Sequence, residues 1–327
     1  MRARIFFIFF LVVLAMTAGT AALFRHAPPP RTILVLNNAM VGERAFDGLR
    51  EGLEELGWRE GVDIRYLHPG PQPSAAQLRA QARDLIDGDT ALVVTLSTPA
   101  ALAAREEAAR RGLPLLLAPA SDPVAVGLVS SLSHPGENVT GIAFGLQEAR
   151  RLEMLTMVAP RVRRVWLPFN HADPSPTTML PRLRDTADRL GLTLVPADVR
   201  DITALRPALD ALPPDMDAIF VPPDAMLASN LRAILNTAAA RGLPVTTPHR
   251  EGVAQGALFS YGFDLYAAGR QAARLADRIL SGVPAADLPI EFADMEVTLN
   301  LATADRLGLH VPDHILRHAL IVGRPGE

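Results

Sequence analysis

The sequence contains neither cysteine nor lysine, and all 32 of its basic residues are arginine. Without cysteine there can be no disulfide, thiolate metal site, cysteine nucleophile or lipid-modified cysteine. Without lysine there can be no P-loop lysine and no Schiff-base amine. The net charge of −3 shows no excess of basic residues that could bind phosphates, so we expect no nucleic-acid partner. A chain of 327 residues, 49% hydrophobic and 20% charged, is predicted to fold, most simply as two domains.

The first thirty residues have the pattern of an export signal. Two arginines precede Ile5 to Phe24, a stretch without charge, and a stiff proline spacer follows at Pro28 to Pro30. The stretch is also long enough to cross a bilayer as a helix, so a cleaved signal peptide and a retained inner-membrane anchor both stay open. Both interpretations place the folded part in the periplasm or another extracytoplasmic space.

From residue 31 onward, short apolar runs alternate with amphipathic helical patterns. Such alternation is typical of parallel sheets covered on both faces by helices. The runs fall into two series of predicted strands: Ile33–Leu36, Val62–Leu67, Leu92–Leu96, Leu113–Leu117 and Val139–Phe144, then Arg164–Pro168, Leu192–Pro196, Ala218–Val221, Pro244–Thr247 and Ala257–Ser260. The sequence therefore predicts an α/β fold with two doubly wound lobes. Ligands of such sheets bind beyond the carboxyl ends of the strands, so we expect a cleft between the lobes.

The predicted helices and crossings set the boundaries of the lobes. Residues 31–145 and 263–285 are assigned to lobe 1, and residues 146–262 and 286–327 to lobe 2, after the segment 1–30. Among the predicted helices are Val124–Leu132, Ala225–Arg241 and Leu265–Leu280, and Val297–Leu309 is predicted as a strand that turns into a helix.

Several segments carry a resemblance to a known family. They are STPAALAA (97–104), ASDPVAVGLVSSLSHPGENVTG (120–141), PPDAMLASN (222–230), EGVAQGALFSYGFDLYAAGRQAARLADRILSG (251–282) and NLATADRLGLHVP (300–312). From about residue 32 to 320 the chain resembles the tryptophan/tyrosine-type substrate-binding proteins of ABC transporters. The resemblance implies a type I-like periplasmic-binding fold that closes on a small solute, often an aromatic amino acid. It also implies delivery of that solute to an ABC permease in the cytoplasmic membrane.

The loops that follow the predicted strands supply candidate ligand-binding residues. Ser97, Thr98 and Pro99 begin a helix whose first amides lack intrahelical partners and attract an anion such as a carboxylate. Asp224 is the leading candidate to pair with a ligand ammonium, since a charge buried on closure needs a partner. The further candidates are Met40, Ser121, Asp122, His249, Glu251, Ser260 and Tyr261. A purely structural role, as a helix cap or a packing residue, is the alternative for each.

No enzymatic signature occurs in the sequence. It has no G-x-G-x-x-G, G-x-S-x-G or H-E-x-x-H motif, so we expect a binding protein without a cofactor. His310, His314 and His318 are spaced by four residues, but no carboxylate is arranged beside all three, so we expect a polar face and no metal. We expect a monomeric solute-binding protein. A membrane-tethered ligand sensor of the same fold and an α/β enzyme without a recognisable motif are the alternatives.

Overall fold

The structure is a computed structural model that describes residues 29–136, 138–145 and 147–324. The predicted signal or anchor, Ile5 to Phe24, lies outside the described residues. Within the described ranges, no helix combines the length and the apolar character needed to cross a membrane.

The first lobe is built on a six-stranded parallel sheet in the order β11-β5-β4-β3-β1-β2. Its strands are β1 (Arg31–Leu36), β2 (Ile64–Leu67), β3 (Thr90–Thr95), β4 (Leu115–Ser121), β5 (Val139–Phe144) and β11 (Glu291–Phe292). Its helices are α1 (Glu43–Glu55), α2 (Ala75–Leu85), α3 (Thr98–Arg110) and α10 (Leu265–Leu280), with 3₁₀ turns at Met40–Gly42 and Ala285–Asp287. The five strands predicted for this lobe are confirmed.

The second lobe has a seven-stranded sheet in the order β13-β12-β10-β9-β8-β6-β7. Its strands are β6 (Arg164–Phe169), β7 (Thr193–Asp198), β8 (Ala218–Phe220), β9 (Val245–His249), β10 (Phe259–Phe263), β12 (Glu296–Asn300) and β13 (Ala319–Val322). Its helices are α4 (Glu148–Val158), α5 (Pro174–Leu190), α6 (Ile202–Asp210), α7 (Ala225–Ser229), α8 (Leu231–Arg241), α9 (Arg250–Ala254), α11 (Leu301–Arg306) and α12 (Asp313–Leu316). All pairings are parallel except that of β10 with β12, which is antiparallel.

The central strands of each sheet are buried on both faces, which explains why their sequences are continuous apolar runs. In β1, Ile33 and Val35 belong to the core under α1 and α10, whereas Leu34 and Leu36 belong to the core on the opposite face. This division follows from the two-residue period of a strand. The second sheet has the same arrangement, with one apolar cluster on each face.

The chain crosses between the lobes three times, and the third crossing lies later than the sequence predicts. Glu291–Phe292 pairs with β5 in the first sheet, so the chain enters the second lobe between Phe292 and Glu296 and not at residue 286. A two-residue strand has no periodicity by which it can be recognised in a sequence.

Helix α10 returns to lobe 1 and packs closely on α1 because glycines remove the side chains between them. A Cβ atom added at Gly269 would lie 1.9 Å from the Ala45 carbonyl oxygen, and one at Gly48 would lie 2.0 Å from the Tyr266 carbonyl oxygen. The contact fixes the start of α10, and hence the second crossing, against the first lobe.

Two predicted helices are wrong. The segment predicted as Val124–Leu132 forms successive turns, because Gly127 adopts the left-handed conformation (φ 74°) just after Val126. The predicted helix Ala225–Arg241 is broken into α7 and α8 at Asn230. The Asn230 side-chain amide donates to the Met226 carbonyl at 2.8 Å and so competes with the helical backbone bond.

Candidate ligand-binding site

The carboxyl ends of the two sheets face each other across a cleft that holds about 480 Å³ of empty space. Lobe 1 contributes side chains that include Asn37, Asn38, Ser97, Thr98, Pro99 and Phe144. Lobe 2 contributes Asp173, Ser175, Pro223, Asp224 and His249, and Phe263 and Leu265 line the cleft at the second crossing. Five of the predicted site residues, namely Ser97, Thr98, Pro99, Asp224 and His249, therefore lie together in this cavity.

On the lobe 1 side, the cavity is closed by the N-terminus of α3. The Ser97 Oγ atom caps the helix by accepting from the Ala100 amide at 3.3 Å. The Thr98 hydroxyl accepts from the Ser121 amide at 2.8 Å, which ties α3 to the end of β4. Pro99 has no N–H, so the Thr98 amide and the Ser97 hydroxyl proton are the donors left for a ligand. Thirteen residues of α3 align their dipoles towards this point, which favours an anion.

On the lobe 2 side, Asp224 is buried at the N-terminus of α7. Its Oδ1 atom accepts from the Leu227 amide at 3.0 Å, and its Oδ2 atom accepts from the Asn170 amide at 2.8 Å. Burial raises the pKa of Asp224, while these backbone donors act in the opposite direction. The capping role that the sequence left as an alternative is therefore present, and the same carboxyl also lines the cleft.

Asp173 is a second buried carboxyl in the cleft, and it was not among the predicted site residues. It caps α5 by accepting from the Ser175 amide at 2.9 Å and is only 7% exposed. Burial, and then the negative charge of Asp224, raises the pKa of Asp173 to about 7. Two carboxyls that repel each other in a buried site require a cation or a shared proton.

His249 forms part of the cavity wall as a neutral ring. It packs edge-to-face on Phe263 with ring centroids 4.8 Å apart, and its Nδ1 atom is buried without a hydrogen-bond partner among the described residues. Burial lowers the pKa of His249 to about 3, helped by the charge of Arg151. The ring therefore stays uncharged at physiological pH and does not neutralise the two carboxyls.

None of the described residues that line this cavity is an arginine. Arg250, which follows His249 in the chain, is paired with Asp264 and lies 3.5 Å from Glu296. Both acids belong to chain crossings, so Arg250 links the second crossing to the third. The cleft thus has two carboxyls on one wall and a helix N-terminus on the other.

The remaining predicted residues do not line the first cavity. Glu251 lines a second cavity beside it, which Val41 and His249 also line. Ser121 is buried at the end of β4, and its amide is used by Thr98. Asp122, at φ 27°, accepts from the Ala125 amide at 3.1 Å and closes a turn.

Three more predicted residues also lie away from the first cavity. Ser260 is buried within β10, and Tyr261 packs against the lobe 2 core, because the alternation of the strand directs its residues into the sheet faces. Met40 is 66% exposed, and its neighbour Val41 takes the position on the cavity wall.

The histidines spaced by four do not share a helix. Only His314 lies within α12, which spans Asp313–Leu316, whereas His310 precedes it and His318 follows it. Within residues 29–136, 138–145 and 147–324, no group of three or more histidine or acidic side chains is placed to hold a metal ion.

Comparisons with known proteins agree with this architecture. A curated relative, the tyrosine-binding protein of Clostridioides difficile strain R20291, is 25% identical over 268 residues, which cover 82% of this chain and 77% of the relative. An ABC domain from Streptococcus pneumoniae, solved in complex with L-Trp, superposes with a TM-score of 0.80 at 23% identity, covering 89% of this chain and 99% of that one.

A further solved structure shares the fold in a different state. It is the ligand-free, open form of a substrate-binding protein with adhesive properties from Clostridium difficile. It superposes with a TM-score of 0.65 at 24% identity and covers 90% of this chain and 99% of that one. Residues 33–322 match the family model described as ABC transporter substrate binding protein. The chain therefore belongs to the ABC transporter substrate-binding protein family, with the two-lobed type I periplasmic-binding fold.

Proposed function

We propose that this protein is the extracytoplasmic solute-binding component of an ABC importer and that its solute is an α-amino acid held between the lobes. One observation carries the proposal: two buried carboxyls, Asp173 and Asp224, share a cleft with the free N-terminus of α3 and with no arginine among its described lining residues. This charge pattern is complementary to a zwitterion whose ammonium and carboxylate are on one carbon.

In this proposal each lobe binds one end of the solute head group. The carboxylate accepts from the Thr98 amide and the Ser97 hydroxyl, and the ammonium donates to Asp173 and Asp224. An ammonium between the two acids removes their mutual repulsion, so binding is strongest when both are ionised. Because the two binding groups lie on different lobes, the solute stabilises the closed arrangement.

Hinge closure is supported by the three crossings and by the relatives. The crossings at residues 263–265 and 292–296 leave the lobes joined by short segments that can absorb a rotation. The chain superposes better on the Trp-bound structure than on the ligand-free, open one, with TM-scores of 0.80 and 0.65. We propose that the closed form then delivers its solute to a permease in the cytoplasmic membrane.

The experiment is calorimetry of the purified protein with the common α-amino acids and with their carboxylate-free and amine-free analogues. We expect at least one amino acid to bind, and both analogues of that amino acid to bind much more weakly. Asp173→Asn and Asp224→Asn should each lower its affinity by a factor of about 30 or more, since a buried ammonium then lacks a partner.

Asp201→Asn is the matched control, because Asp201 also caps a helix of lobe 2 but is exposed and does not line the cleft. It should leave the affinity unchanged. If no α-amino acid bound, or if the cleft variants bound as well as the control, the proposed function would be refuted.

A further inference from the structure

Asn37 has a buried amide side chain that lines the first cavity, and the residue is only 1% exposed. It directly follows β1, which is the neighbour of β3 in the sheet, and the Leu96 amide donates to the Leu36 carbonyl oxygen at 3.0 Å. Asn37 and Ser97 therefore leave the sheet side by side. The Asn37 amide lies on the same wall of the cavity as the N-terminus of α3.

Two hydrogen bonds fix the direction in which the Asn37 amide points. Its Oδ1 atom accepts from the Ala39 amide at 3.2 Å, and its Nδ2 atom donates to Glu43 Oε1 at 2.7 Å. The reversed amide would place its oxygen against the Glu43 carboxylate and its N–H₂ group against the Ala39 N–H, so two attractions would become two repulsions. Nδ2 carries two hydrogens, and Glu43 accepts one of them, which leaves the other available to a ligand.

Glu43 is held in turn by His68. The His68 Nε2 atom lies 2.8 Å from Glu43 Oε2, and its Nδ1 atom lies 3.3 Å from the Val35 carbonyl oxygen. The His68 ring also packs edge-on against Phe46, with ring centroids 4.7 Å apart. Neither Glu43 nor His68 is among the described residues that line the first cavity. Both therefore act on a ligand there only through Asn37.

Gly42 provides the space that the Asn37 amide occupies. A Cβ atom added at Gly42 would lie 2.6 Å from Asn37 Oδ1 and 2.9 Å from Asn37 Nδ2. The backbone of Gly42 lies in the right-handed helical region, with φ −67° and ψ −19°, which any residue adopts. The backbone conformation therefore does not require a glycine here. The absent side chain leaves room for the amide.

We propose that Asn37 is a ligand-binding residue that donates through Nδ2 to the solute carboxylate, and that Glu43 and His68 are positioning residues that fix its direction. This inference rests on the proposed function, since it needs the head group of an α-amino acid in the first cavity. The described lining of that cavity contains no arginine, so a carboxylate there depends on neutral donors. Asn37 adds a third donor to the Thr98 amide and the Ser97 hydroxyl. A donor that is fixed before the solute arrives loses little further entropy on binding.

The test compares each common α-amino acid with its α-carboxamide, for example leucine with leucinamide, by direct and competition calorimetry. The carboxamide keeps the ammonium and the side chain but lacks the negative charge, so the ratio of its dissociation constant to that of the amino acid reports on the carboxylate contacts. Asn37→Ala should lower this ratio by about tenfold or more for the amino acids that bind, because a hydrogen bond to a charged group is lost.

Asn38→Ala is the matched control. Asn38 is the same residue type and lines the same cavity, but its buried atom without a partner among the described residues is the acceptor Oδ1, which suits a donor and not a carboxylate. This variant should keep the wild-type ratio of carboxamide to amino-acid dissociation constants.

Three further variants test the direction of the amide without removing it. Gly42→Ala displaces the amide in a backbone that accepts alanine, and Glu43→Leu removes the acceptor that orients Asn37, so both should lower the ratio as Asn37→Ala does. Glu43→Gln keeps an oxygen for Asn37 Nδ2 and should restore most of the wild-type ratio. Lost packing alone would weaken the amino acid and its carboxamide together and leave the ratio unchanged.

The outcomes separate this inference from the proposed function. An unchanged ratio in Asn37→Ala, or an equal fall in Asn38→Ala, would overturn the role of Asn37 while leaving amino-acid binding intact. A wild-type ratio in Glu43→Leu, or equal ratios in Glu43→Leu and Glu43→Gln, would overturn the positioning role of Glu43. Failure of every α-amino acid to bind the wild-type protein would overturn the proposed function, and this inference with it.

Discussion

Replacing Asp173 by asparagine should stabilise the ligand-free protein at neutral and alkaline pH. The pKa of Asp173 is raised from 3.8 to about 7, first by burial and then by Asp224. At 1.36 kcal/mol for each tenfold change in proton affinity, the ionised carboxyl destabilises the fold by about 4 kcal/mol. Asparagine keeps the oxygen that caps α5 but buries an amide N–H₂ group. Burying that group costs about 1–2 kcal/mol and so reduces the gain in stability. The expected gain at about pH 8 is therefore about 2–3 kcal/mol.

The sign of the pH dependence is fixed by the direction of the pKa change. Asp173 binds its proton more tightly in the folded protein than in the unfolded chain, so it costs stability as pH rises from about 4 to about 7. Asparagine does not titrate there. The unfolding free energy of the variant should therefore lie about 1–2 kcal/mol below that of the wild type under about pH 4, because only the cost of the buried amide remains there. The difference should then rise with pH through this range, change sign and level off.

Urea unfolding of both proteins without solute, at several pH values across this range, measures that difference. Asp201→Asn is again the control. The pKa of Asp201 changes in the opposite direction to that of Asp173, because the Thr203 side chain and backbone amides lower it. Asp201 therefore contributes stability that is lost as pH falls, and its replacement should not stabilise the protein at alkaline pH. A difference for Asp173→Asn that stayed flat, or shrank with rising pH, would refute the reasoning.

Two further predictions concern the hinge and the packing of lobe 1. Arg250→Ala removes the ion pairs with Asp264 and Glu296 that link two crossings. Calorimetry should therefore show that the affinity for every solute falls by a similar factor of about 2–10. A changed order of solute affinities would contradict a hinge role. Gly269→Ala places a methyl group 1.9 Å from the Ala45 carbonyl oxygen and should lower the unfolding free energy by about 2–3 kcal/mol, whereas Gly88→Ala, with open space around it, should not. Urea unfolding measures the stability of both variants, and equal unfolding free energies for Gly269→Ala and Gly88→Ala would contradict the close contact of α1 and α10.

The order of strands and helices was predictable because burial on both faces leaves a strong signal. All ten strands that the apolar runs predict are present, and the predicted helix Leu265–Leu280 matches α10 at both ends. The two helix predictions that were wrong failed because of single residues. Gly127 adopts the left-handed conformation, and the side chain of Asn230 competes for a helical carbonyl. Neither effect is visible in hydrophobic periodicity, which averages over several residues.

The site was predictable only in part, because the same residue types serve as caps and as binding groups. In the sequence, Asp173, Asp201 and Asp264 are equivalent: each precedes a helix, and each caps it in the structure. What distinguishes Asp173 is burial beside Asp224, and that arises only when residues far apart in the chain meet in lobe 2. The sequence shows which residue can cap a helix, but not which residues lie beside that cap in the folded protein.

In the proposed function Asp173 and Asp224 both cap a helix and bind the solute, and these two roles do not compete. A cap fixes the position of a carboxyl by backbone hydrogen bonds, so it loses little further entropy when a ligand arrives. Asp224 accepts from two backbone amides and Asp173 from one, yet both remain buried close to a like charge. The helices hold the carboxyls in place but supply no full positive charge to balance them. That imbalance costs the ligand-free protein stability. In the proposed function a solute ammonium removes it, so the stability cost of Asp173 and its proposed contribution to affinity have the same origin.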